Sequence, residues 1–202
     1  MINAELMTHN LCTEGYHVID NFLELEQCDA LREEAKAIHA QGLFRSAKIG
    51  VNVTSQYNNT IRTDQIAWLD EQESSPAIHA FLSKIHTMTQ VLNQSLFLSL
   101  SEFETHFAIY QPGTYYKKHV DQFASQKTRK ISCVYYLNKD WLATHGGALN
   151  LYNQNEKLIQ QIVPQENRFI CFNSELPHEV CMTYQPRYSI AGWLKTRTNP
   201  SF

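Results

Sequence analysis

The sequence predicts a mainly β protein with flanking helices: a double-stranded β-helix, or jelly roll, with two N-terminal helices packed on one sheet. Three observations lead there. Helical periodicity is confined to the first half of the 202-residue chain and fades after about residue 96. Eight short β-rich runs follow, up to residue 195, separated by turn signals. Strands and helices do not alternate, so the runs are expected to close on themselves as sheets rather than form a parallel βαβ array.

The first helix lies in "LELEQCDALREEAKAIHAQG", where Cys28, Leu31, Ala35 and Ile38 recur at steps of three, four and three and Gly42 stops the run. The second lies in "SSPAIHAFLSKIHTMTQVLNQSL", with Ile78, Phe81, Leu82, Ile85, Met88 and Leu92 on one stripe. Ser75 supplies an N-cap there and Pro76 the first helical position. The expected strands are "THFAIY", "YYKKHVDQF", "KISCVYYLN", "GALNLYN", "LIQQIVP", "NRFICFN", "HEVCMTY" and "RYSIAGWLK". Gln111-Pro112-Gly113, Gly146-Gly147 and Pro164 punctuate them. The chain therefore reads as one domain over 1–202, with helical support over roughly 22–95 and the β core over roughly 96–196. The polar stretch 51–60 reads as a surface loop between two probable strands.

Composition narrows the function. The chain is 43% hydrophobic and 18% charged, with a net charge of -3. That balance disfavours nucleic acid or an anionic membrane as the main partner. No run approaches the roughly 20 apolar residues of a membrane span, and the N-terminus lacks the basic and apolar regions of a secretory signal, so a cytoplasmic location is expected. The five cysteines, Cys12, Cys28, Cys133, Cys171 and Cys181, form no C-x-x-C pair and an odd count. They suit neither a disulfide framework nor a zinc knuckle. Cys133 and Cys171 lie in apolar runs and read as small core residues.

His119-Val120-Asp121 is the first candidate for chemistry. Residues two apart on a strand project to one face, so His119 and Asp121 can converge on an ion while Val120 packs on the other side. Alone the pair is a weak signal, because a surface histidine beside a solvated carboxylate is commoner. His178, in "LPHEV", offers a third ligand. Two histidines and a carboxylate occupy one face of an octahedron and leave the opposite face open, a geometry suited to non-haem Fe(II). A tetrahedral structural zinc would want a fourth protein ligand, and Cys181 is expected to face away from His178 on a regular strand. Arg187 follows His178 by nine residues. In a closed β structure that spacing brings the chain back along a neighbouring strand, so Arg187 can point into the same cavity, where its fork matches a carboxylate. The plainer reading pairs it with a core carboxylate, Glu179 being the nearest.

On these residues the sequence resembles the 2-oxoglutarate and Fe(II)-dependent dioxygenases, and in particular the prolyl 4-hydroxylase branch with its bacterial and hypoxia-inducible-factor types. The resemblance spans roughly residues 40 to 195 and rests on "IRTDQIAWLD", "YQPGTYYKKHVD", "CVYYLNKDW", "GGALNLY" and "PHEV…PRYSIAGW", in family order. It implies that His119, Asp121 and His178 hold Fe(II), that Arg187 and the Tyr136 hydroxyl grip the distal carboxylate of 2-oxoglutarate, and that Tyr110 lies near the iron and the proximal end of that cosubstrate. Arg62, Asp64, Arg129 and Trp193 match positions at the substrate rim, although Arg62 and Asp64 read equally well as an exposed ion pair. The implied activity is hydroxylation of proline in a protein or peptide, using O2 and releasing succinate and CO2, with ascorbate as a candidate reductant. Elongation factor Tu is the suggested protein substrate at the family level. The alternatives are a dioxygenase for another side chain or a small molecule, and a non-catalytic metal-binding jelly-roll module.

Overall fold

A computed structural model describes residues 2–47, 60–69, 75–122 and 127–197. Most of the loop expected at 51–60 lies outside the described residues.

The helices form where the sequence supplies caps and apolar stripes. α1 spans Ala4–Thr13, and the Asn3 side chain caps it by accepting from the Leu6 amide. α2 covers Leu25–Ala40 and is closed by Glu24 and Gln27, which cap one another's backbone amides. Just past its end Gly42 adopts a φ of +68°, the left-handed turn that the expected stop requires. α3 covers Pro76–Leu96, with Ser75 as N-cap and Pro76 in the first turn. Its stripe of Ile78, Phe81, Ile85, Met88 and Leu92 is buried.

The strands are β1 (Tyr16–Ile19), β2 (Arg45–Ser46), β3 (Gln65–Trp68), β4 (Glu102–Tyr110), β5 (Tyr116–His119), β6 (Arg129–Tyr136), β7 (Leu149–Tyr152), β8 (Leu158–Ile162), β9 (Phe169–Asn173), β10 (His178–Val180) and β11 (Arg187–Lys195). They form a large sheet in the order β1-β9-β6-β11-β4-β3-β2 and a small one in the order β5-β10-β7-β8. All neighbouring strands in these two sheets pair antiparallel. No helix among the described residues is long and apolar enough to cross a membrane.

Two apolar layers follow from strand parity. Phe107, Ile109, Ile131, Cys133, Tyr135 and their neighbours join the helix stripes in one core on the outer side of the large sheet. Ala108, Tyr110, Tyr136 and Phe172 point the other way and meet Leu149, Leu151 and Val180 of the small sheet. Adjacent residues Tyr135 and Tyr136 thus serve opposite faces, as the period of two demands.

Three expectations need correction. The helical layer contains α1 as well as α2 and α3. The division near residue 96 does not hold, because β1, β2 and β3 precede it and belong to the large sheet. Asp121 is not on a regular strand: β5 ends at His119, and Val120, 45% exposed, lines the cleft instead of packing behind it.

Candidate metal centre

Two strands of the small sheet bring the first ligands together. His119 and His178 are directly opposed in the β5–β10 pairing, and their rings lie 4.2 Å apart, centroid to centroid. Each imidazole is held by its own backbone. His119 Nδ1 lies 2.7 Å from the Lys117 carbonyl and His178 Nδ1 2.9 Å from the Leu176 carbonyl. A carbonyl only accepts, so each Nδ1 carries the proton and each Nε2 keeps its lone pair for an ion. Those Nε2 atoms lie 3.6 and 3.5 Å from the Asp121 carboxylate. The three ligand atoms fall within 4.8 Å of one another.

Asp121 reaches this position through a bend. Its amide and that of Gln122 both donate to the Ser174 carbonyl, at 3.1 and 3.0 Å. Ser132 on β6 then donates to Asp121 Oδ2 at 2.7 Å and contacts the Ser174 hydroxyl at 2.9 Å. The sequence alone does not single out Ser132. Its only signal is parity, since it shares a strand face with Tyr136. Burial pushes the Asp121 carboxyl up, but His178, His119 and the Ser132 hydroxyl outweigh it and hold the group well below the usual carboxylate range. Burial, with the charge of His119 adding, pushes His178 down to about 4. A charged carboxylate beside a neutral imidazole is the state a metal needs.

The large sheet supplies the opposite wall of a cavity of about 670 Å³. Arg187, Ser189, Ala191 and Trp193 face it from β11. Arg187 therefore returns on the facing sheet, and not on a neighbour of β10 as the spacing suggested. Its Nε donates to the Gly147 carbonyl at 2.8 Å, and its guanidinium lies 4.9 and 5.0 Å from the ring centroids of Tyr110 and Tyr136. Gly147 makes room: a Cβ there would stand 2.9 Å from the Arg187 Cδ. Glu179 is not the arginine's partner, for it binds Tyr152 and Asn150. Arg187 is 1% exposed, and its hydrogen-bond partners among the described residues are the Gly147 carbonyl and the Ser189 hydroxyl, with no carboxylate among them. The buried Tyr136 hydroxyl likewise has no hydrogen-bond partner among the described residues.

A buried cation without an anion and a buried hydroxyl without a partner are both costly. A dicarboxylate would satisfy both. The donor set of two imidazoles and one carboxylate fits Fe(II). The residues present thus fit both groups.

The expected rim residues surround the cavity. Arg62 and Asp64 form a two-pronged ion pair at 2.7 and 2.8 Å. The pair is not exposed, since the Asp64 side chain is fully buried. Arg62 also lies 4.6 Å from the Tyr116 ring centroid, and Tyr116 stacks on His119 at 3.5 Å. Arg129 lies over Trp193 at 3.4 Å and pairs with Glu104 at 3.1 Å.

Comparison with known proteins extends the geometry. The sequence model described as the 2OG-Fe(II) oxygenase superfamily matches residues 105–195. The chain is 31% identical over 186 residues to mouse prolyl hydroxylase EGLN3, covering 89% of this chain and 77% of that one. A crystal structure of a Pseudomonas putida prolyl-4-hydroxylase superposes with a TM-score of 0.86 at 32% identity, over 96% of this chain and 99% of that one. A Trichoplax adhaerens prolyl hydroxylase, solved with a hypoxia-inducible-factor oxygen degradation domain peptide fragment, gives a TM-score of 0.87 at 27% identity, covering 95% and 88%.

Proposed function

This chain belongs to the 2-oxoglutarate and Fe(II)-dependent oxygenases of the prolyl hydroxylase family, and from that premise we propose that it hydroxylates proline at C4 in a protein or peptide. Its cofactors are Fe(II), 2-oxoglutarate and O2. The observation that carries the assignment of roles is a single cavity. One wall presents three convergent ligand atoms, and the other presents a buried arginine and a buried tyrosine hydroxyl in need of an anion.

In this reading His119, Asp121 and His178 hold the iron. Arg187 and Tyr136 take the distal carboxylate of 2-oxoglutarate, and Tyr110 flanks the arginine. When bound, iron and cosubstrate supply an oxidant strong enough to hydroxylate a C–H bond, with release of succinate and CO2. The protein's own work is positional. The Lys117 and Leu176 carbonyls fix both imidazole tautomers, Ser132 orients Asp121, and Arg62 braces His119 through Tyr116. Arg62, Asp64, Arg129 and Trp193 form the rim on which the peptide rests. The two facing sheets read as a jelly roll, and the chain as one domain over 1–202. Ascorbate as a candidate reductant and elongation factor Tu as a candidate substrate belong to the proposal on the strength of the sequence resemblance, and a cytoplasmic location belongs to it because the cysteines read as free thiols.

The test is direct. Under anaerobic conditions, Fe(II) and 2-oxoglutarate should give the visible charge-transfer band of the chelate. His178→Ala and Arg187→Ala should remove or weaken it. With O2 and host lysate, mass spectrometry should find oxygen added to proline. Oxygen found only on other residues or on metabolites would overturn the prolyl assignment while leaving the oxygenase intact.

A further inference from the structure

One buried titratable group in the cavity has no task in this scheme. His106 lies on β4, on the same strand face as Ala108 and Tyr110. It is 2% exposed. Its ring meets Trp68 edge to face at 5.0 Å and tilts against Trp193 at 5.5 Å. Its Nδ1 is buried with no hydrogen-bond partner among the described residues. Core histidines are ordinarily satisfied, as His17 is by Asn10 at 3.0 Å. An unpaired nitrogen at the wall of a ligand cavity therefore points to a partner that arrives with the ligand.

The strand register locates it. On β11, Arg187 faces Tyr110, Ala191 faces His106, and Trp193 faces Glu104. Trp193 also faces Ser132, the residue that holds Asp121. His106 thus lies between the row that carries the cosubstrate arginine and the row tied to the iron ligands. Four residues of strand, about 13 Å, separate its row from that of Arg187, so it is out of reach of the carboxylate that Arg187 would take, and its contact with Trp193 sets it beside the proposed substrate rim.

The neighbours limit what it can bind. Asp64 is engaged by Arg62, and Glu104 by Arg129 and Lys195. Burial, with the charge of Arg62 adding, pushes the His106 imidazole down to about 3, so the ring is neutral near pH 7. A neutral ring among compensated charges, flanked by two tryptophans, offers one hydrogen bond in an apolar setting.

We propose that His106 is a specificity residue: its ring hydrogen-bonds an uncharged amide or hydroxyl on the substrate residue adjacent to the target proline, which lies against Trp68 and Trp193. The inference rests on the peptidyl-proline reading above. A site that leaves a buried polar group unpaired with the wrong ligand discriminates against that ligand.

The test compares wild type, His106→Leu and His106→Asn on acetylated pentapeptide amides with a central proline. The flanking positions carry Ala, Leu, Asn, Gln, Ser, Thr, Asp or Lys in turn. Wild type should favour Asn, Gln, Ser or Thr at one flank over Ala by about tenfold in kcat/KM. His106→Leu should lose that preference, chiefly through KM, and His106→Asn should keep part of it. The chelate band of Fe(II) with 2-oxoglutarate, read for each variant, reports a folded and loaded site. If the leucine variant lacks the band, the asparagine variant and the labelled ring decide. In Zn(II)-substituted wild type with 15N-labelled histidine, the preferred peptide should shift the His106 ring resonances and the alanine peptide should not. An unchanged peptide ranking in a variant that keeps the band, or unmoved ring resonances, removes His106 from recognition and leaves the prolyl reading standing. Failure of wild type to hydroxylate any of the peptides overturns the peptide reading and this inference together.

Discussion

Arg187 donates to Gly147 at 2.8 Å and to Ser189 at 3.4 Å, and its remaining donors meet no carboxylate among the described residues. Arg187→Ala should therefore weaken 2-oxoglutarate binding by a hundredfold or more, since truncating one partner of a buried charge pair costs roughly 2–5 kcal/mol. Tyr136→Phe removes only a neutral donor and should cost about tenfold. Titration of the chelate band measures both, and equal effects of the two variants would show that the anion is not anchored by the arginine. His106 makes a prediction of a different kind. Its imidazole is pushed down to about 3 in the folded chain, against about 6.5 in the unfolded chain. Between these values the unfolded state binds the proton and the folded state does not. Stability from this group is fully present above pH 6.5 and is lost as pH falls toward 3, at about 1.4 kcal/mol per pH unit. Thermal melts of wild type should therefore fall more steeply than those of His106→Asn over that window, and parallel curves would contradict the burial of the ring. Among single residues, His119, Asp121, His178 and Arg187 were legible as a spaced set with a stated chemical use, and Tyr136 only through the family resemblance. Ser132 and His106 were not, because strand parity assigns a face but not whether a hydroxyl or a ring nitrogen finds a partner there.

The elements place these groups through pairings the sequence only partly announces. α2 was legible from four spaced apolar residues and the stop at Gly42, and α3 from six and the cap at Ser75. α1 was not: it buries only Met7 and Leu11, too few to mark a period. β1 and β2 are four and two residues long and gain their order from partners far along the chain, β1 from β9 and β2 from β3. Non-local pairing of that kind leaves no local periodicity to read. The segment before β3 shows how an element serves the metal. Arg62 bridges Tyr116 on β5, Thr63 accepts the Tyr115 amide, and Asp64 fixes the guanidinium that lies over Tyr116. Asp64→Asn replaces the charge that holds Arg62 at 2.7 Å by a neutral amide, so it should cost about 1–3 kcal/mol of stability and lower iron affinity through His119. Denaturant unfolding and an Fe(II) titration check the two parts, and a stable variant with unchanged affinity would refute the brace. Gly147→Ala tests the opposite wall. The position has φ +67° and its Cβ would crowd Arg187 and Thr183, so a loss of about 1–3 kcal/mol should accompany a raised KM for 2-oxoglutarate.

At the scale of the whole molecule, the proposed iron ligands belong to the small sheet and its edge, while the proposed anion anchors belong to the large sheet. The two sheets meet through one apolar layer, Tyr110, Tyr136 and Phe172 against Leu149, Leu151 and Val180. A loaded site would therefore join the sheets a second time, through a chelate gripped on one side by imidazoles and on the other by a guanidinium. This arrangement was legible from the order of the motifs but not from their spacing. The nine-residue step from His178 to Arg187 suggested adjacent strands, whereas the turn between them carries the chain from one sheet to the other. The consequence is a conditional stabilisation. A ligand at one hundred times its Kd adds about 2.7 kcal/mol to the folded state, which for a chain of this size raises Tm by about 5–10 °C. Anaerobic Fe(II) with 2-oxoglutarate should give a shift of that order, and a chelator should reverse it. In Asp121→Ala the cosubstrate should lose most of its effect, because its keto-acid end has no metal to bind. In Arg187→Ala the metal should still stabilise, but added 2-oxoglutarate should contribute little. Equal shifts from 2-oxoglutarate with and without metal would mean that the two walls bind independently, and would dismiss the picture of one site shared between two sheets.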